Sequence, residues 1–86
     1  MKSINLFAAT AALIFSSTVF ASPVNINMAS ASEIAEALSG IGMSKASAIV
    51  EYRNSSGKFN NARDIVLVKG IGEATYQKNI KDILVE

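Results

Sequence analysis

Two short stretches of this 86-residue chain could hold an anion without help from catalytic side chains: LSGIGMSK at Leu38–Lys45 and VKGIGEA at Val68–Ala74. The candidate binding residues are Gly40, Ile41, Gly42 and Lys45 in the first, and Lys69, Gly70, Ile71 and Gly72 in the second. The two Gly-Ile-Gly copies lie 30 positions apart. In each, the first glycine permits a positive φ. The isoleucine points inward and stiffens the turn. The second glycine lacks a Cβ, so an outside group can approach the backbone closely. A helix opens immediately afterwards, and its first amides have no intrahelical partner. Together with the positive end of the helix dipole they form an anion site made of backbone alone. Lys45 falls in the opening turn of the first such helix, within reach of the same anion, whereas Lys69 precedes the second turn. A Gly-Ile-Gly turn could also serve only to connect two helices tightly, since glycine C-caps are common. Two copies with the same aliphatic centre, each opening a helix, favour the anion site. The segment GIGMSKAS looks like a nucleotide phosphate loop. It fails that test, because it lacks the Gly-Lys-Ser/Thr ending and follows a helix rather than a strand.

Other chemistry is excluded by what the chain lacks. Without Cys there is no disulfide, thiolate ligand or thiol nucleophile, and without His the commonest general base and metal ligand is missing. The carboxylate pairs Glu33/Glu36 and Asp82/Glu86 have helical spacing but read as solvated surface. No enzyme, cofactor, metal or small-molecule substrate is implied. Tyr52 and Tyr76 read as aromatics at the edge of a core, and Lys78 and Lys81 as solvent-facing charges, a reading favoured over contact with a phosphate.

The elements that position these turns follow from capping signals and apolar spacing. Ser30 and Glu33 have the spacing of a capping box, opening a helix over roughly 31–38 with Ile34, Ala35 and Leu38 on one face. Gly40 stops it. A second helix is expected from Met43 to Asn54, with Ala46, Ile49, Val50 and Arg53 at helical spacing. Asn54–Lys58 reads as a loop, and Phe59 as a plug returning the chain to the core. Asn61 and Asp64 repeat the capping spacing before a third helix over Ala62–Val68. Composition also allows Ile65–Val68 as a strand, but the cap before it and the glycine after it favour helix. A fourth helix covers Glu73–Asn79, and Ile80, Ile83 and Leu84 close the core as a final turn or short helix. The thirty-residue repeat is therefore two copies of one helical hairpin, in an all-α domain of four to five short helices.

Upstream, residues 1–21 have the order of a secretory signal: Lys2, an apolar run from Ile4 to Ile14, then SSTVFA with Val19 and Ala21 at the −3 and −1 positions. The competing reading is an uncleaved anchor. Asn5, Thr10 and Ser16–Thr18 dilute the run, whereas a spanning helix wants about 20 predominantly apolar residues. Cleavage after Ala21 would export a mature chain made of an extended lead-in at 22–29 and one domain at 30–86, with hairpins at 39–42 and 69–72. Residues 22–86 carry seven Lys/Arg and seven Asp/Glu, so any anion contact is local rather than the work of a broad basic patch. A domain of this size buries only about 60% of its unfolded surface and depends on close packing.

LSGIGMSKASAIVEYR resembles the helix-hairpin-helix motif, and the span Val24–Leu84, with VNIN, ASASEIAEAL and GKFNNARDIVLVKGIG, resembles the ComEA family of competence proteins. The resemblance implies a tandem helix-hairpin-helix domain that binds double-stranded DNA without sequence preference. The amides of each hairpin would meet one strand's phosphates across the minor groove. It further implies a role in periplasmic DNA uptake during natural transformation, with the uptake machinery as a further partner. Carried over residue by residue, the contacts are Gly40, Ile41, Gly42, Ser44 and Lys45, then Gly70, Ile71, Gly72, Glu73 and Ala74. This chain departs from the family pattern at Ser39 and Met43, where proline is usual, at Ala74, where lysine is common, and at Met28, where threonine is usual. The missing lysine implies weak binding. Neutral charge and Ala74 leave a second function class open: a periplasmic protein-interaction module that keeps the fold without binding DNA. Glu73 separates the two, because an outward carboxylate there would repel a phosphate.

Overall fold

The computed structural model describes residues 21–86; the signal-peptide reading of residues 1–21 lies outside them except for Ala21. The elements run β1 (Val24–Asn25), α1 (Ala31–Ala37), α2 (Met43–Ser56), a 3₁₀ helix (Ala62–Leu67), α3 (Glu73–Asn79) and β2 (Ile83–Leu84). The fold is mostly helical, with four helices among the described residues, as the apolar spacing requires.

Local signals act where they were expected. Ser30 and Glu33 close a reciprocal capping box: the Ser30 amide donates to Glu33 Oε1 at 2.8 Å and the Glu33 amide to Ser30 Oγ at 3.1 Å. This satisfies two amides that α1 would otherwise leave unpaired. Leu38 leaves α1 in an extended conformation, with φ −102° and ψ 138°. Helix α2 runs two residues beyond the expected Asn54, so Ser55 and Ser56 are helical rather than loop. Ser55 Oγ donates back to the Glu51 carbonyl at 3.0 Å, and Gly57 at φ +99° ends the helix.

The core is a single cluster that joins both halves of the repeat: Ile26, Ile34, Leu38, Ile41, Ala46 and Ile49 with Phe59, Ile65, Val68, Ile71, Tyr76 and Ile83. Phe59 is buried as the expected plug and stacks on Tyr52 with ring centroids 5.1 Å apart. Ala46 is fully buried in α2, which packs on α1.

Three readings of the backbone are corrected. The third helix is a 3₁₀ segment, not an α-helix. Its end is tightened by the Val68 amide donating to the Ile65 carbonyl at 3.1 Å, and Val68 itself is extended at φ −78°, ψ 132°. The lead-in pairs as a strand over Val24–Asn25 and does not run straight to residue 29: the Met28 and Ala29 amides both turn back to the Asn25 carbonyl. The C-terminal segment is a turn followed by a strand, so the fold is not purely α. Ile83 and Leu84 pair in parallel with Val24 and Asn25, and the Val24 amide donates to Asp82 while the Ile26 amide donates to Leu84. A parallel pair cannot be closed by a tight turn; here the whole helical repeat is the crossover. Of the three residues assigned to that cover, Ile83 is buried, whereas Ile80 and Leu84 are exposed.

Candidate functional site

The two turns have the same backbone. Gly40 and Gly70 take φ +76° and +92°, the left-handed region that favours glycine. Ile41 and Ile71 are only 3% and 4% exposed, so each turn is pinned to the core by its central residue. Gly42 and Gly72 are the N-caps of α2 and α3, with no side-chain cap on either helix. The helical bonds begin at Ala46 and Tyr76, whose amides donate to the Gly42 and Gly72 carbonyls at 2.9 and 3.1 Å. The amides ahead of them, at Met43–Lys45 and Glu73–Thr75, are the orphan donors of a helix start.

Gly42 and Gly72 are not glycine for conformational reasons. Their φ values, −86° and −108°, suit any residue, and a Cβ on either would meet nothing within 4 Å. The fold leaves open space at both positions.

Side chains lock the turns side by side. Asn79, the buried polar residue that ends α3, is 1% exposed. Its Oδ1 accepts from the Ser39 amide at 2.7 Å, and its Nδ2 donates to the carbonyls of Ser39 at 2.8 Å and Thr75 at 2.9 Å. A second asparagine makes the same kind of latch elsewhere: Asn27 donates to the Phe59 carbonyl at 3.0 Å and accepts the Phe59 amide at 2.8 Å. Arg53, at the end of α2, donates through Nη1 to the Ile26 and Ala29 carbonyls, tying the lead-in to the helix.

Lys45 is half-buried rather than fully exposed. Its stem crosses to the other hairpin, where Cγ and Cε lie 3.9 Å from the place a Cβ on Gly70 would occupy. Ser44 and Ala74 are exposed beside their turns. Lys69, also exposed, lines a shallow depression on the flank of α2 with Ala48, Glu51, Tyr52 and Ser55. The structure thus brings Gly40, Ile41, Gly42 and Lys45 together with Gly70, Ile71 and Gly72.

Glu73, the carboxylate at the second turn, is engaged. Gln77 Nε2 donates to its Oε2 at 2.9 Å, and Arg63 grips it with two bonds of 2.8 and 3.2 Å. The Gln77 bond, then the Arg63 bond and charge, hold the Glu73 carboxyl below the ordinary carboxylate range, while the same carboxylate raises Arg63. Both groups are exposed, so the pair is a screened surface contact. Arg63 also lies over the Tyr76 ring, 5.2 Å from its centroid.

This geometry agrees with the comparisons to known proteins. A family model described as the helix-hairpin-helix motif matches residues 19–84. This chain is a helix-hairpin-helix protein of the ComEA family. ComE operon protein 1 of Bacillus subtilis is 44% identical over 63 residues, 73% of this chain and 30% of that protein. An uncharacterized protein of Haemophilus influenzae is 52% identical over 61 residues, 71% of this chain and 54% of that protein. The chain therefore spans about half or less of the length of both relatives.

Two site-forming residues of this helix-hairpin-helix domain were not singled out as such from sequence. Asn79 stands 30 positions after Ile49, so the repeat puts a polar residue in a core slot, and that mismatch was its one readable signal. The role of Asn27 had no local signal, because its partner is 32 residues away.

Proposed function

We propose that this domain binds double-stranded DNA without sequence preference, with each Gly-Ile-Gly turn offering backbone amides to phosphates on the minor-groove side. The observation that carries the reading is the open space at Gly42 and Gly72, two N-cap glycines whose backbone conformation does not require glycine. Amide-to-phosphate contacts carry no base information, which is why the binding is sequence-independent. The name of the Bacillus relative, ComE operon protein 1, supports placing this activity in competence. On this reading residues 1–21 are a cleaved leader, the mature chain begins at Ser22 in the periplasm, and it holds incoming duplex during uptake. The mass of the chain in a periplasmic fraction checks the export.

The decisive experiment is binding to duplex and single-stranded DNA across a salt series. Few cations flank the turns, so about 2–4 phosphates are neutralised and the log–log salt slope is about −2 to −4. A slope near −10 or a strong preference for one sequence overturns the hairpin mechanism. Absence of duplex binding gives way to the protein-interaction module.

A further inference from the structure

Lys78 lies on α3, five residues past the start of that helix, yet its Nζ sits 3.7 Å from where a Cβ on Gly40 would stand. It therefore reaches the first turn from the helix that follows the second. The arrangement is reciprocal, since the Lys45 stem, from the helix after the first turn, lies on Gly70 of the second. The repeat does not encode this exchange: a shift of 30 positions puts Lys45 onto Thr75 and Ala48 onto Lys78. It arises from the way the halves dock. The next residue, Asn79, holds the backbone of Ser39 through two bonds, which fixes the part of α3 carrying Lys78 against the first turn. Lys78 is exposed, and the ion pair found among the described residues, Arg63–Glu73, does not involve it.

We propose that Lys78 is a phosphate-binding residue of the first hairpin, completing from the other half of the domain the anion site that the turn's amides begin. This inference rests on the DNA reading above and deepens it. A strand at the first turn then meets amides from one half and an ammonium from the other, so the site exists only when the two halves are docked. It also gives the domain a cation that the position of Ala74 does not supply.

The test uses the full chain and a duplex of mixed sequence, with Lys78→Gln, Lys45→Met and, as a control, Lys81→Gln. Lys81 is exposed and is not among the atoms close to either turn's glycines. Circular dichroism melts confirm that each variant folds. Lys78→Gln is expected to weaken duplex binding about tenfold and to flatten the salt slope by about one, with Lys78→Arg restoring most of the loss. Lys81→Gln stays within about twofold of wild type. If Lys78→Gln matches wild type in affinity and slope while Lys45→Met weakens binding, the assignment of Lys78 is wrong and the DNA reading stands. Equal losses from Lys78→Gln and Lys81→Gln also overturn it, since bulk charge then explains both. If wild type itself binds no duplex, the DNA reading falls and the inference with it.

Discussion

The two Gly-Ile-Gly turns share φ values, buried centres and uncapped helix starts, yet their surroundings differ in kind. The first is followed by Met43, Ser44 and Lys45, and its backbone is held by a fully buried asparagine. The second is followed by Glu73, Ala74 and Thr75, and its nearest carboxylate is occupied by Arg63 and Gln77. One backbone motif thus occurs twice with different charged neighbours. On the proposed DNA reading, the amides of both turns offer a phosphate the same backbone, and flanking side chains set how strongly each attracts it. That reading makes the first turn the stronger site and requires the Glu73 carboxylate at the second to be held aside.

The sharpest way to break the comparison is to release the first turn. Asn79→Ala empties a buried side-chain position and removes the partner of the Ser39 amide and carbonyl from two part-buried bonds. The expected loss of stability is about 2–4 kcal/mol, read by urea unfolding. A loss under about 0.5 kcal/mol, in the range of a neutral surface change, would show that the turn holds itself.

A smaller effect tests the weakness assigned to the second turn. Ala74→Lys adds a cation at an exposed position in the first turn of α3. Affinity for duplex should rise by about three- to tenfold at low salt, and the slope should steepen by about one. Unchanged binding in a folded variant would mean that the second turn does not face the phosphates.

The smallest effect concerns Glu73. Its carboxyl sits below the ordinary carboxylate range, so its bonds to Gln77 and Arg63 stabilise the fold at neutral pH. That contribution disappears as the pH falls through the lowered value, because the protonated acid no longer pairs. Glu73→Gln should melt slightly below wild type at neutral pH, and the gap should close as the pH falls below the ordinary carboxylate range. The same substitution releases Arg63 and should tighten duplex binding by about twofold. A gap that is constant with pH would assign the difference to packing instead.

Much of the fold was legible because its signals are local. Capping boxes, glycine stops and apolar spacing act within a turn of helix, and they marked all four helices, the two turns and the plug at Phe59. The length of α2 was not legible, since serines are ordinary loop residues until the C-cap at Gly57 is seen. Nor was the 3₁₀ geometry of Ala62–Leu67, whose Asn61/Asp64 signal is shared by both kinds of helix.

The sequence by itself determined the repeat, the positions of the glycines and the buried isoleucines between them, because each depends on backbone conformation and short-range spacing. Only the tertiary structure decided the pairing of Val24–Asn25 with Ile83–Leu84, the grip of Asn79 on Ser39, and the crossing of Lys45 and Lys78 to opposite turns. Those contacts join residues 25 to 59 positions apart, and their geometry is set by how the two halves share one core.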